Sequence, residues 1–368
     1  MRILHLDSEK TWRGGENQVR YLIEGLNQKN IEQWAAAPKN SVAIKEKRWA
    51  CSLIPLASGK PLDFRNWWIL YQAIRAHKID IVDAHSAKAH SLALSVARFF
   101  PHLKIVVHRR VDNIPKSNFF TKKKYLHPRI DQFVAISEAI AEVLKKYGVE
   151  GHKITTVRSA VDAKYYEILN QLNGQLEMRK KFGFLPSEVL IGNASALSPQ
   201  KGYETLIRSI AELKSSHVSG FKVVIAGSGE LEQELKNLTH ELGLSEKVQF
   251  LGFIKNVPEF LACLDILAIP SNNEGLGTVI LDAILAGCCP VGSRVGGIPE
   301  IIIHGETGLL IEPGDYKRLA EHLKILIENP NYRSELSKKA YQHVKLNFAL
   351  TSMVNGNLAV YEKAMGLD

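Results

Sequence analysis

Asp265-Ile-Leu-Ala-Ile-Pro-Ser-Asn-Asn-Glu-Gly-Leu-Gly-Thr-Val-Ile-Leu-Asp-Ala-Ile-Leu-Ala-Gly287 runs from an apolar strand through a glycine loop into a helix. Asp265–Pro270 is the kind of short apolar run that makes a buried parallel strand, and Pro270 closes it. Gly275 and Gly277 lower the steric cost of tight turns and of close approach by a ligand. From Thr278 onward Val279, Ile280, Ala283 and Ile284 recur at helical spacing, so the N–H groups of a helix start point out of the loop and form an anion site. Glu274 lies just outside that start and Asp282 about one turn within it, where carboxylates can accept hydrogen bonds from sugar hydroxyls. The plainer alternative makes Glu274 a loop carboxylate and Asp282 a residue complementing the helix dipole.

The same motif of strand, glycine loop and helix repeats on either side. Val189–Ala194 reads as a strand, followed by Leu197-Ser-Pro-Gln-Lys-Gly202 and a helix with Leu206, Ile207, Ile210 and Leu213 on one face. Lys201 then stands at the mouth of a helix N-terminus, where its charge opposes the dipole and argues for an anionic ligand. Lys222–Ala226 leads to Gly227-Ser-Gly-Glu230, Val248–Leu251 leads to Gly252-Phe-Ile-Lys-Asn256, and Cys288–Gly292 leads to Gly296-Gly-Ile-Pro-Glu300. Helices over Lys317–Ile327 and Tyr332–Asn347 follow, and Thr351–Ala364 forms a last helix that can pack back on the first half.

The first half alternates in the same way. Arg2–Leu6 is a buried strand that leads through Trp12-Arg-Gly-Gly-Glu-Asn-Gln-Val19 into a helix, and Gly14 and Gly15 allow either close approach to a phosphate or a tight structural turn. Strands over Gln33–Pro38, Cys51–Leu56, Ile79–Ala84, Lys104–His108, Gln132–Ile136 and Lys153–Val157 alternate with helices, which implies a parallel sheet covered on both faces. Ligands gather at the carboxyl ends of such strands. Asp83, His85, His108, Arg109 and Arg110 lie at or just past those ends. The stretch from Ala163 to Pro186 has no strand pattern and includes the polar, turn-prone Asn170–Gln175, which marks the domain junction.

A chain of 368 residues with 45% apolar and 23% charged content suits two soluble domains. No stretch approaches the roughly 18 apolar residues of a membrane span, and the N-terminus is too soon charged for a signal peptide, so the expected location is the cytoplasm. Cys51, Cys263, Cys288 and Cys289 lack metal-ligand spacing and read as reduced thiols. Residues 1–170 hold 28 Lys and Arg against 16 Asp and Glu, whereas the rest hold 19 against 22. The basic half implies a polyanionic partner, an anionic membrane or nucleic acid, unless the charge is only a solvated surface. Lys116-Ser-Asn-Phe-Phe-Thr-Lys-Lys-Lys-Tyr-Leu-His-Pro128 sets Phe119 and Phe120 beside Lys122, Lys123 and Lys124. That suits a segment lying on the cytoplasmic face of a membrane, with rings at headgroup level. An ordinary charged loop with two core-facing phenylalanines is the alternative.

With these residues in place, the chain resembles the retaining glycosyltransferases of family 4, similar to bacterial enzymes of lipopolysaccharide and cell-envelope synthesis. Six collinear landmarks carry the resemblance. They are Gly14-Gly-Glu16, Ser159-Ala-Val-Asp162, Ser198-Pro-Gln-Lys-Gly202, Gly227-Ser-Gly-Glu230, the Glu274 loop and helix, and Gly296-Gly-Ile-Pro-Glu300 with His304-Gly-Glu-Thr-Gly-Leu309 behind it. The implied fold is GT-B, an α/β architecture of two Rossmann-like doubly wound parallel-sheet domains facing a central cleft. Residues 1–165 with a helix at about 350–368 would bind the acceptor, and 166–349 the nucleotide sugar.

The resemblance implies metal-independent transfer of a sugar, with retention, from a nucleotide diphosphate donor to a hydroxyl, UDP being favoured over GDP, with no cofactor and no nucleic acid. It implies that Lys201 holds the diphosphate, Glu274 the donor sugar, and the Gly275, Leu276, Gly277 and Thr278 amides donor oxygens. Asp282 would hold the ribose, while Gly227, Gly252, Phe253 and Val257 complete the donor site. Gly14 and Gly15 would approach the diphosphate, and His108 or His85 would face the reacting centre. A lipid-linked or lipopolysaccharide-type acceptor is the associated expectation. Two positions depart from the family. Asp282 stands where a glutamate is usual, and Ser195-Ala-Leu197 replaces Gly-Arg-Leu, so a diphosphate cation is missing at Ala196; Arg158, Arg110 or Arg294 could replace it. The alternatives are a catalytically impaired protein of this fold that binds membranes or polyanions, and a sugar-nucleotide epimerase. A nicotinamide-dependent oxidoreductase is excluded because neither domain has Gly-x-Gly-x-x-Gly after its first strand.

Overall fold

The structure is a computed structural model that describes residues 1–172 and 175–367. It divides into two compact units, Met1–Ala160 with Leu350–Asp368, and Val161–Ala349.

The first unit contains β1 (Arg2–Leu6), α1 (Gly14–Asn27), β2 (Glu32–Pro38), α2 (Val42–Lys45), β3 (Ser52–Leu56), α3 (Phe64–His77), β4 (Ile81–Ala84), α4 (Ala87–Ala97), β5 (Lys104–Arg109), α5 (Phe119–Tyr125), β6 (Gln132–Ala135), α6 (Glu138–Tyr147) and β7 (Ile154–Thr156). Its seven strands are parallel in the order β3-β2-β1-β4-β5-β6-β7. Ile3, Leu4 and Leu6 of β1 are fully buried, as a central strand covered on both faces requires. Helix starts follow side-chain chemistry: Asp63 accepts from the Arg65 amide at 3.2 Å, Ser137 from the Ile140 amide at 3.2 Å, and Glu16 accepts from the Arg13 amide at 2.7 Å.

The second unit contains α7 (Ala163–Leu172), α8 (Gln175–Phe182), β8 (Val189–Ala194), α9 (Tyr203–Ser215), β9 (Phe221–Ala226), α10 (Glu232–Glu241), β10 (Val248–Gly252), α11 (Val257–Leu261), β11 (Ile266–Ile269), α12 (Thr278–Leu285), β12 (Cys289–Ser293), α13 (Ile298–Ile301), β13 (Leu309–Ile311), α14 (Tyr316–Glu328) and α15 (Pro330–Asn347). Its six parallel strands run β10-β9-β8-β11-β12-β13. The stretch without a strand pattern, read as the domain junction, is largely α7 and α8; residues 173 and 174, inside the segment read as turn-prone, lie outside the described residues. The physical reason is Arg179 of α8, which is buried, donates to Cys263 O at 2.9 Å and to Glu188 O at 3.1 Å, and pairs with Asp265. Those bonds tie α8 to the amino ends of β8 and β11, through contacts too distant in sequence for local periodicity to show.

The last helix, α16 (Leu350–Met365), returns to the first unit. Met353, Val354, Val360 and Tyr361 join Ile3, Leu22, Leu26, Ile81, Val106 and Val134 in one core. Contact between α1 and α16 is close: a Cβ on Gly25 would lie 2.2 Å from Val354 Cγ2. The described residues contain no helix long and apolar enough to cross a membrane. Cys263, Cys288 and Cys289 are buried free thiols, and Cys51 is a half-buried one.

Candidate functional site

In the second unit the loops after β8, β9, β11 and β12 dock on one another at the carboxyl edge of the sheet. Gln200 O accepts from the Asn272 amide at 2.8 Å, and Asn272 Nδ2 donates to Pro199 O at 2.9 Å. Gly202 has φ +64°, and a Cβ there would stand 1.8 Å from Pro270 O. Gly227, at φ +139°, would bring a Cβ within 2.0 Å of Ser195 O, and Gly297 would place one 2.6 Å from Gly275 O. The glycines of these loops are therefore required first by contact between loops.

Lys201 and Glu274 meet at the seam so formed. Lys201 Nζ lies 2.5 Å from Glu274 Oε2, and both side chains are largely shielded, at 22% and 14% exposure. The expected unbalanced cation at a helix mouth is corrected here, because Glu274 already neutralises it. Gly277, at φ +84°, precedes α12, whose first-turn amides at Thr278 and Val279 no carbonyl of the helix can reach. Leu276 is buried beside them. Asp282, one turn into α12, accepts from Tyr166 OH at 3.0 Å, and burial pushes its carboxyl up to about 6. Sequence reasoning misses Tyr166, because it lies in the stretch assigned to the junction. Gly252 has φ +66° with open space around a would-be Cβ, Phe253 is 75% exposed, and Val257 is half-buried at the start of α11. Ala196 is exposed, while the neighbouring Ser195 Oγ is held 2.8 Å from the Tyr203 hydroxyl.

In the first unit the carboxyl ends of β1, β4 and β5 carry polar residues on one face. Register pairs His5 with Asp83 and Asp83 with Val106. Since side chains alternate along a strand, His108 of β5 shares that face, and Asp7, His85 and Arg110 extend it past the strand ends. His108 Nε2 lies 3.1 Å from Asp83 Oδ1, His85 Nε2 3.1 Å from Asp83 Oδ2, and Tyr361 OH of α16 2.6 Å from the same Oδ2. Burial opposes ionisation of Asp83, but the facing His108 and His85 hold its carboxyl well below the usual range. Burial lowers His108 as well, and takes His85 down to about 3, so both rings are neutral at neutral pH.

His5 Nδ1, His85 Nε2 and Asp83 Oδ2 lie 3.1 to 3.5 Å from one another, close enough to share a metal ion. Each of these atoms is already engaged in hydrogen bonds within the cluster. The spacing His5-x-Asp7, Asp83-x-His85 and His108-x-Arg110 at three strand ends is the sequence signal for the whole group; reading single strands misses His5, and nothing local points to Tyr361.

Gly15 and Arg110 adjoin this cluster. A Cβ on Gly15 would meet only Arg110 Cδ, at 3.8 Å, so packing inside the unit does not demand glycine there. Arg110 reaches His85 Nδ1 at 3.3 Å, and its Nε is buried without a partner among the described residues. Arg294 is half-exposed and paired with Glu312 at 3.3 Å, and Arg158 is half-buried beyond β7. In α5, Phe119 and Phe120 are 72% and 81% exposed and Lys122 and Lys123 face solvent, so these phenylalanines are not core residues. Lys124 differs from its neighbours: it donates to Ala87 O at 2.5 Å, and burial lowers it to about 8. Its expected place among the membrane-facing lysines is corrected accordingly.

Residues 12–165 match the model of Glycosyltransferase Family 4, and residues 174–343 that of Glycosyl transferases group 1. The chain belongs to the family 4 glycosyltransferases. Its relatives include an uncharacterized glycosyltransferase of Methanocaldococcus jannaschii, 28% identical over 64% of this chain and 60% of that protein. The 2-deoxystreptamine glucosyltransferase of Streptomyces kanamyceticus is 25% identical over 94% of this chain and 85% of that one. Among solved structures, a glycosyltransferase from Rickettsia africae aligns with TM-score 0.86 at 21% identity, covering 100% of this chain and 99% of that chain. Anabaena HepE in complex with UDP-glucose aligns with TM-score 0.82 at 22% identity, covering 100% of both. The two parallel-sheet units have the GT-B architecture of these glycosyltransferases.

Proposed function

We propose that this family 4 member transfers a sugar, with retention, from a nucleoside diphosphate sugar to a hydroxyl acceptor, without a metal ion. The observation that carries the reading is the Lys201–Glu274 pair at the open start of α12, with Asp282 in the same helix. A diphosphate offers Lys201 a stronger anion, and a donor sugar offers Glu274 hydroxyl donors, so donor binding exchanges one buried pair for two matched contacts. Lys201 and the α12 amides then carry the charge that a metal would otherwise neutralise. In the transfer the bond from the anomeric carbon to the diphosphate breaks, the acceptor oxygen bonds on the same face, and its proton passes to the leaving phosphate oxygen. The complexes of Anabaena HepE with UDP and UDP-glucose support UDP as the nucleotide.

For the acceptor we propose a lipid-linked cell-envelope glycan reached from the cytoplasmic membrane face. Ile114, Phe119 and Phe120 stand exposed beside Lys122 and Lys123, and Leu62, Phe64 and Trp68 stand exposed beside Arg65. Such mixtures suit an anionic interface. A mannosyltransferase of lipopolysaccharide core biosynthesis from Rhizobium leguminosarum is among the relatives and supports the acceptor class.

A thermal-shift panel of UDP, GDP, ADP and CMP, followed by donor-hydrolysis assays, tests the reaction. UDP is expected to raise the melting temperature, and Lys201→Ala to abolish transfer while leaving the protein folded. No shift with any nucleotide at millimolar concentration overturns the reading. Co-sedimentation with vesicles containing anionic lipid tests docking: a Phe119→Ser, Phe120→Ser, Lys122→Ser, Lys123→Ser variant should stay in the supernatant, and equal binding by both proteins refutes the surface.

A further inference from the structure

Asp282 stands where the family usually has a glutamate, so its carboxylate reaches one methylene less far from the α12 backbone. A second helix of the same unit fills the difference. Tyr166 of α7 places its hydroxyl 3.0 Å from Asp282 Oδ1, and both helices lie within Val161–Ala349. Tyr166 is 2% exposed, and its ring is set edge-on against Tyr165, with centroids 5.4 Å apart and planes at 90°. A ring so enclosed cannot swing, which fixes the direction from which its hydroxyl donates. Nor can it touch a ligand itself, so any effect it has on a bound ligand passes through Asp282.

The two carboxylate oxygens of Asp282 are therefore unlike. Oδ1 faces the buried Tyr166 and accepts from it, and no other hydrogen bond or ion pair engages the carboxylate among the described residues. Asp282 is half-buried, and Oδ2 is the oxygen on its open side. Side chains on a helix lean toward its N-terminus, so the carboxylate is turned toward the first turn of α12. Thr278 opens that turn, four residues or about 6 Å back along the helix, where the free amides suit a phosphate. A vicinal pair of hydroxyls takes both oxygens of a carboxylate side by side. A carboxylate with one oxygen turned inward and engaged takes a single hydroxyl.

We propose that Tyr166 is a positioning residue of the nucleotide site, whose hydroxyl holds Asp282 Oδ1 inward so that Oδ2 alone accepts a hydrogen bond from one of the two ribose hydroxyls. The proposal rests on the glycosyltransferase reading above, which puts ribose at Asp282; it adds the residue that aims the carboxylate and the number of hydroxyls that the carboxylate reads. Among the described residues, the titratable groups that face Asp282 are Tyr166 and Tyr165 of α7. Glu259 of α11 acts on Tyr165, and no group of β11, β12 or α15 acts on Asp282. Burial raises Asp282 and the Tyr166 hydrogen bond lowers it, so loss of the hydroxyl moves the titration of Asp282 upward.

Tyr166→Phe removes the hydroxyl and keeps the buried ring. UDP, 2′-deoxy-UDP and 3′-deoxy-UDP are the probes, or the matching guanosine nucleotides should the protein bind GDP instead, and the readout is the calorimetric Kd. At pH 7.5 the wild type should bind one deoxy nucleotide at least about 10-fold more weakly than the parent and the other within about twofold of it. Tyr166→Phe should weaken the parent about 10-fold yet leave the rejected deoxy nucleotide within about twofold of its wild-type affinity, because that nucleotide makes no use of Oδ2. The pH below which affinity for the parent falls, about 6 in the wild type, should move up by about one unit in the variant. A merely structural tyrosine would weaken all three nucleotides by the same factor and leave that pH unchanged. Asp282→Glu, which drives the longer side chain into the Tyr166 hydroxyl, should weaken binding as well, and adding Tyr166→Phe should restore it by making room for the extra methylene. Should Tyr166→Phe fail to fold, the wild-type comparison of the two deoxy nucleotides decides. Equal affinity for those two, or equal weakening of all three nucleotides by Tyr166→Phe, overturns the proposal while leaving the glycosyltransferase reading intact. A wild type that binds neither UDP nor GDP overturns that reading, and the proposal with it.

Discussion

Glu16 closes the first turn of α1 by accepting from the Arg13 amide, yet burial and the neighbouring Asp7 push its carboxyl up to about 7. Its ordinary value is 4.5, so between roughly pH 4.5 and 7 the folded protein holds a proton there that the unfolded chain has released. Stability contributed by this group is present below the lower value and is lost as pH rises through the upper one. Glu16→Gln keeps an acceptor for Arg13 without the charge. Its melting temperature should match the wild type near pH 4.5 and exceed it by several degrees at pH 8, on the order of 3 kcal/mol; parallel melting curves at both pH values would refute the assignment. Asp282, raised to about 6 by burial, gives a binding counterpart. A carboxylate accepts from ribose hydroxyls better than a carboxylic acid does, so UDP affinity should weaken as pH falls from 7.5 to 5.5. Asp282→Asn, measured by calorimetry, should bind UDP weakly with no such slope. Both residues can be picked out by position in the sequence, but their raised values cannot. Burial of Asp282 against Tyr166 depends on a helix 116 residues away, and no local pattern reports it.

At the scale of elements, strand runs such as Val189–Ala194 are readable because a parallel strand buried on both faces must be apolar throughout. The loops are readable as glycine-rich but not in their purpose. Gly202 allows the lysine loop to lie against Pro270 at the end of β11, which is how Lys201 comes within 2.5 Å of Glu274 across 73 residues. Gly202→Ala would place a Cβ against a backbone oxygen and strain a left-handed residue, so the two loops must separate, at a cost of more than about 2 kcal/mol. The variant is expected to lose UDP-induced thermal stabilisation to nearly the extent of Lys201→Ala, although every donor-binding side chain remains. Normal UDP stabilisation in Gly202→Ala would show that the loops act independently. The same logic explains why Gly15, which its own unit does not require, remains the better candidate for close approach to a ligand.

At the scale of the molecule, the chain order and the unit order differ, because α16 follows the whole second unit and completes the first. The apolar spacing of Thr351–Ala364 is enough to place a helix there, but not to show what it holds. Met353, Val354, Val360 and Tyr361 are buried in the first unit's core, and Tyr361 also caps Asp83 across 278 residues. Burying side chains of this size is worth about 1.5–3 kcal/mol each, so together they approach the net stability of a typical domain, about 5–15 kcal/mol. Truncation before Leu350 removes that surface and also leaves Asp83 with one hydrogen bond fewer inside the core, which adds to the loss. The truncated protein should therefore lose the first unit's melting transition, whereas the second unit, whose core among the described residues draws on none of α16, should still respond to UDP. Differential scanning calorimetry with and without UDP separates the two transitions. If the truncated chain keeps both transitions, the first unit does not need α16 for its fold.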